Sequence, residues 1–151
     1  MKICVFGSSS DNLEKEYYDK SFELGKFLGE EGHSLIFGGG SEGLMGAIAR
    51  GFKEGKGYIK GVAPSFFNIP GTLYQECDEL VLTKDMPERK DIMEGEADSF
   101  ITLPGGIGTF EEVLEVMTLK QLGQINKPIC FYNINNYYDE LLSSIYKASK
   151  E

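Results

Sequence analysis

Histidine is almost missing from this chain: His33 is the single example among 151 residues. That argues against Ser-His-Asp and Cys-His nucleophilic centres and against metal sites built on several histidines. Cysteine is scarce and odd in number, with Cys4, Cys77 and Cys130 far apart. Such spacing does not make a disulfide framework, and Cys4 and Cys130 lie inside apolar strand patterns, so both are expected as buried, reduced thiols. No apolar run exceeds strand length, whereas a bilayer span needs about 20 consecutive apolar residues. The segment Met1–Phe6 enters strand at once and leaves no room for a leader peptide, so a cytoplasmic location is expected. Positive charge is also short: 15 Lys and Arg stand against 24 Asp and Glu, a formal net charge of −9. Nucleic acid and anionic membrane are therefore poor partners. An anionic ligand would have to be held by a few local cations and helix ends, against the overall field. No Walker A pattern occurs.

What the chain does have is the composition of one domain with a proper core, at 41% hydrophobic residues. Strand-like and helix-like segments alternate. The strands are expected at Lys2–Phe6, Ser34–Phe37, Tyr58–Ala63, Glu79–Leu82, Ser99–Leu103 and Pro128–Tyr132. The helices are expected from an Asp11/Glu14 cap signal to near Gly32, over Leu44–Phe52 and Pro87–Ala97, after Pro104–Thr109, and over Tyr137–Ala148, with Ser65–Cys77 as a loop. This order predicts an α/β fold, a Rossmann-like doubly wound parallel sheet with helices on both faces. In such sheets ligands bind beyond the carboxyl ends of the strands. Those ends carry Gly7–Ser10, Gly38–Gly43, Met86–Lys90 and Pro104–Thr109, so four segments converge on one edge.

The most informative of them is Pro104-Gly-Gly-Ile-Gly-Thr-Phe-Glu-Glu112, between a buried strand and a helix on which Phe110, Val113, Leu114 and Met117 share a face. Glycines there let backbone N–H groups approach an anion, and the helix start adds unpaired donors and partial positive charge. A plain strand-to-helix turn, with Thr109 as N-cap and Glu112 closing a capping box, uses the same residues. Gly38-x-Gly40-x-x-Gly43 matches the dinucleotide fingerprint, but the next strand ends Gly61-Val-Ala-Pro64 without the acid that would hold a ribose. Close helix–strand packing or part of another nucleotide pocket fits these glycines better. Arg89 and Lys90 at a helix start are a solvated pair or, from their place at the sheet edge, anion ligands. Glu112 either caps its helix or is the acid of the site.

Together these residues resemble the Lonely Guy family of phosphoribohydrolases. Pro104, Gly105, Gly106, Gly108, Thr109 and Glu112 fill its P-G-G-x-G-T-x-x-E pattern; Met86, Arg89 and Lys90 match its Arg-Lys element. Gly38–Gly46, Thr118, Gln121–Gly123, Lys127-Pro128 and Asn136–Tyr138 match further, so the likeness covers essentially the whole chain. The resemblance implies hydrolysis of the N-glycosidic bond of a nucleoside 5′-monophosphate, AMP or a cytokinin riboside monophosphate, to free base and ribose 5-phosphate. It implies Arg89 and Glu112 as the catalytic pair. Lys90, Gly105, Gly106, Ile107, Gly108, Thr109, Phe110, Glu111 and Thr118 would line the nucleotide site, with Ser8 and Gly39 from neighbouring strand ends. A carboxylate beside C1′ suits the oxocarbenium-like state of such a reaction. No metal or cofactor is expected, and nothing in the sequence supports the pyridoxal phosphate that a lysine decarboxylase label on such relatives would require. A homodimer is implied; the sequence departs from the family pattern at Pro87, where relatives often carry histidine, and at Glu151, after which typical members continue through another strand and helix. Molybdenum-cofactor carriers resemble the same family, so a non-catalytic nucleotide or cofactor carrier is the alternative.

Overall fold

Both faces of the first strand are apolar, which makes it a central strand of a covered sheet. In the computed structural model, which describes residues 1–151, β1 (Lys2–Phe6) sends Ile3 and Val5 to one side and Cys4 and Phe6 to the other, all buried. The other strands are β2 (Ser34–Phe37), β3 (Ile59–Pro64), β4 (Glu79–Thr83), β5 (Ser99–Thr102) and β6 (Ile129–Phe131). The helices are α1 (Lys15–Glu30), α2 (Gly43–Glu54), α3 (Met86–Glu96), α4 (Ile107–Gln121) and α5 (Asp139–Ala148). All pairings are parallel, in the order β4-β3-β2-β1-β5-β6. The chain runs outward from β1 to β4 and then returns to lay β5 on the free side of β1. The loops after β1 and β5 therefore diverge, and a crevice opens between them.

Two cores flank the sheet. Ile3, Val5, Leu35, Phe37 and Ile59 pack with Leu44, Ile48 and Phe52 of α2 and Leu28 of α1. Cys4, Phe6, Ile36 and Val62 pack with Met93 of α3 and with Val113 and Val116 of α4. Each large side chain so buried contributes about 1.5–3 kcal/mol. The edge strands are less covered: Leu80 and Leu82 of β4 are 40% and 43% exposed.

Three sequence-based expectations are corrected here. Cys130 is exposed, because β6 is an edge strand; Cys4 is buried as expected. Asp11 does not cap α1, which starts after Glu14; its carboxylate accepts the Gly43 N–H at 2.8 Å and so caps α2 across two loops. Helix α4 begins at Ile107 with Gly106 as its N-cap, so Thr109 is inside the first turn and Glu112 lies a turn further on, neither of them capping. No helix is long and apolar enough to cross a membrane.

Candidate active site at the carboxyl edge of the sheet

A cleft of about 860 Å³ lies over the switch point between β1 and β5, within the range of small-molecule sites. Of the residues expected to bind or react, Ser8, Arg89, Lys90, Gly106, Ile107, Gly108, Thr109, Glu111 and Glu112 line it. Gly39, Gly105, Phe110 and Thr118 do not. Gly39 takes a left-handed turn (φ 84°), and its carbonyl accepts the Tyr74 N–H at 2.8 Å. Gly105 is buried, and its carbonyl accepts the Tyr137 hydroxyl at 2.6 Å. Phe110 packs on Tyr138, with ring centroids 5.9 Å apart. Thr118 is exposed further along α4, its hydroxyl donating to Leu114 O within the helix.

Two glycine-rich loops lead into helices here, and only one leaves its donors free. At α2, Gly43 N–H goes to Asp11 and Met45 N–H to Ser8 O at 3.2 Å, so that helix start is closed by the protein itself. At α4 the N–H groups of Ile107, Gly108 and Thr109 precede the first helical bond, from Phe110 N–H to Gly106 O at 3.0 Å. Gly106, Ile107 and Gly108 are exposed to the cleft. This opening suits an anion, because three donors and the positive end of the helix dipole point into it. The loop behind it is pinned by adjacent tyrosines: Tyr137 donates to Gly105 O, and buried Tyr138 donates to Leu103 O at 2.7 Å.

Arg89 comes from the first turn of α3, whose N-cap Asp85 accepts the Glu88 N–H at 2.9 Å. Pro87 sits at the helix start, where a missing N–H costs nothing. The Arg89 residue is only 6% exposed. Its Nε donates to Val62 O at 2.9 Å and its Nη2 to Gly38 O at 3.1 Å, so it is tied to the ends of β3 and β2. Gly38 is needed for this, since a Cβ there would fall 1.8 Å from Nη2. Phe67, which sequence reading left in a loop, lies under the guanidinium at 5.8 Å from its ring centroid. Burial lowers the Arg89 pKa and the nearby Glu112 opposes that shift, so the cation remains charged at neutral pH.

Glu112 is half-buried on the next turn of α4. Burial pushes its pKa up to about 7; Arg89 and Lys90 pull it down, while Glu111 and Glu115 raise it. It forms no ion pair; Lys90 instead bridges Glu111 and Glu115, the latter at 3.2 Å. A carboxyl that titrates near neutral pH beside an open anion cradle can hold or release a proton during a reaction. No group of three or more His, Cys, Asp or Glu side chains is arranged to hold a metal ion. Sequence reading passed over Gly71, Thr72 and Leu73, which also line the cleft. Gly40 pairing with Leu73 brings the 65–77 loop in, a contact without any local signal in sequence.

Comparison with known proteins finds relatives along nearly the whole chain. A family model described as possible lysine decarboxylase matches residues 45–151. A probable cytokinin riboside 5′-monophosphate phosphoribohydrolase of Arabidopsis thaliana is 41% identical over 149 residues, covering 99% of this chain and 74% of the relative. A probable enzyme of the same description from Oryza sativa subsp. japonica is 41% identical over 150 residues, covering 99% of this chain and 60% of the relative. Among solved structures, the Moco carrier protein of Chlamydomonas reinhardtii superposes with a TM-score of 0.76 at 25% identity, covering 95% of this chain and 83% of that one. The family match includes Arg89, Lys90 and the whole Pro104–Glu112 segment, and with 41% identity along nearly all of its length the chain belongs to the Lonely Guy family.

Proposed function

We propose that this protein hydrolyses the N-glycosidic bond of nucleoside 5′-monophosphates, AMP or a cytokinin riboside monophosphate, releasing the free base and ribose 5-phosphate. The observation that carries this reading is the pairing, in one cleft, of an open helix N-terminus with a half-buried carboxyl whose pKa is about 7. The 5′-phosphate would accept the N–H groups of Ile107, Gly108 and Thr109, with Lys90 beside them. That would fix the ribose with C1′ toward Glu112. As the C1′–N bond breaks, ionised Glu112 stabilises the positive charge on the sugar. It then takes one proton from the attacking water, whose oxygen bonds to C1′. The departing base nitrogen takes up a proton, so the sum is one water consumed. Arg89 would contribute charge from a fixed position at the cleft wall. Relatives 41% identical carry phosphoribohydrolase names, which supports the same reading.

Assembly as a homodimer is part of this proposal. Thr118 and the 40%-exposed Leu114 share the open face of α4, and Ile107 is 81% exposed at its start. A second copy laid on that face would cover them and bring Thr118 to a neighbouring cleft. Light scattering tests it; a monomer at working concentration rules it out.

The deciding experiment is incubation with AMP while free adenine and ribose 5-phosphate are followed. Release of both in equal amounts is expected. Tight binding without release, across purine and pyrimidine monophosphates, would favour instead a carrier, the reading suggested by the likeness to the Chlamydomonas protein.

A further inference from the structure

Behind the cleft, α3 and α4 meet at a crevice lined by Phe6, Lys90, Met93, Glu94, Glu112 and Glu115 that leaves no room for a water molecule. Glu115 Oε1 accepts from Lys90 at 3.2 Å, but Glu115 Oε2 is buried with no donor. A buried carboxylate oxygen does not stay unpaired at no cost, and water cannot reach this one. The group across the crevice is the carboxyl of Glu94, which donates only when it is protonated.

We propose that Glu94 and Glu115 share one proton across the α3–α4 contact, and that this proton lets the acidic wall around Lys90 accept a phosphorylated ligand. The role in affinity rests on the nucleotide reading above; the shared proton does not. Two carboxyls that line one narrow crevice resist ionising together at neutral pH, and a hydrogen bond from an acid to a carboxylate is stronger than one between neutral groups. Burial first, then the bond to Glu115 and its charge, push Glu94 up to about 8, while the same bond holds Glu115 below its ordinary value. The proton therefore resides on Glu94, and the pair titrates as a unit. The charged groups around it are Asp91 and Lys90 on α3, Glu112 and Glu111 on α4, and Lys127, which donates to the Glu94 carbonyl at 2.7 Å. Cys4 of β1 faces the same contact as a neutral thiol.

The consequence is electrostatic. Lys90 already faces the carboxylates of Glu111 and Glu115, and a third ionised carboxylate would add one more negative charge to the wall that meets a phosphate dianion. In a chain of net charge −9 there is no long-range attraction to offset that. Below the pair's ionisation the wall tolerates the ester. Above it, affinity falls.

The test has two arms. Side-chain carboxyl resonances of glutamate-labelled protein, assigned with Glu94→Gln and Glu115→Gln, should reveal two coupled carboxyls that keep one proton to mildly alkaline pH and lose that signature in either variant. Independent titration with both carboxyls ionised at neutral pH overturns the proposal. The second arm measures AMP affinity from pH 7 upward in Glu112→Gln protein, with and without Glu94→Gln; the phosphate is a dianion over this whole range, since its second pKa is about 6. Affinity should fall severalfold as the pair loses its proton, and stay level in the Glu94→Gln protein, whose amide is a permanent donor. Equal pH dependence in both proteins overturns the role in affinity. If the pair titrates as described but no nucleotide binds at any pH, the proposed function and the affinity role fail while the shared proton stands.

Discussion

Glu112 and Arg89 share a cleft but owe their properties to opposite treatment by the fold. Burial is the largest influence on Glu112 and lifts it from 4.5 to about 7. As a base it must be ionised, so kcat/KM for AMP should rise through pH 7 with a slope of one and then level off. Glu112→Gln should abolish turnover while leaving nucleotide binding within a few-fold, read by calorimetry; near-normal turnover would leave Glu112 a bystander. The same shift has a cost in stability. The folded state holds a proton that the unfolded state has released, so its contribution is greatest below about pH 4.5 and is lost as pH rises through 7. Glu112→Gln should therefore melt above the wild type at about pH 8 and close to it at about pH 4. A gap of equal size at both values would contradict that origin. Arg89 is fixed by two strand-end carbonyls rather than left free for ligand. Arg89→Lys keeps the charge but cannot reproduce the planar fork, and should destabilise the fold by about 1–3 kcal/mol in urea unfolding. Unchanged stability would make the guanidinium a ligand group alone.

At the scale of elements, the site depends on where α4 starts. The helical spacing of Phe110, Val113 and Met117 was legible in sequence, but the start was not. Gly108 is a poor helix former, and its presence points to a loop, yet it lies inside the first turn behind the N-cap Gly106. Thr109 is 4% exposed inside the first turn, beside Gly105, where an added Cβ would collide with its Oγ1 at 2.2 Å. Tyr137 and Tyr138 then brace the loop from about 30 residues downstream, a contact that no local pattern announces. Tyr138→Phe leaves Leu103 O buried without a donor and should cost about 1–3 kcal/mol. It should also reduce nucleotide affinity, measured by calorimetry, because the loop that presents the N–H groups loses its brace. Full stability with full affinity would mean that Tyr138 only fills space.

For the whole molecule, the charge of −9 and the local cradle act on different length scales. At about 0.1 M salt the Debye length is about 10 Å, so added salt screens the distant carboxylates more than the short contacts in the cleft. The association rate of AMP, followed by stopped-flow, should therefore rise between about 0.01 and 0.1 M salt. A fall would mean that Arg89 and Lys90 dominate the approach as well as the contact.

By itself the amino-acid sequence determined the α/β class, the bounds of every strand to within one residue, the sheet edge that carries the ligand segments, and the pairing of Arg89 and Lys90 with Pro104–Glu112. Those features follow from periodicity and glycine placement, which act over a few neighbouring residues. Which glycine-rich loop stays open, where Arg89 spends its hydrogen bonds, why Cys130 is exposed and which carboxyls are forced together were decided by tertiary structure alone. Each depends on atoms distant in the chain meeting in space, because the desolvation and donor pairing that set these outcomes exist only once the sheet and its helices have closed around them.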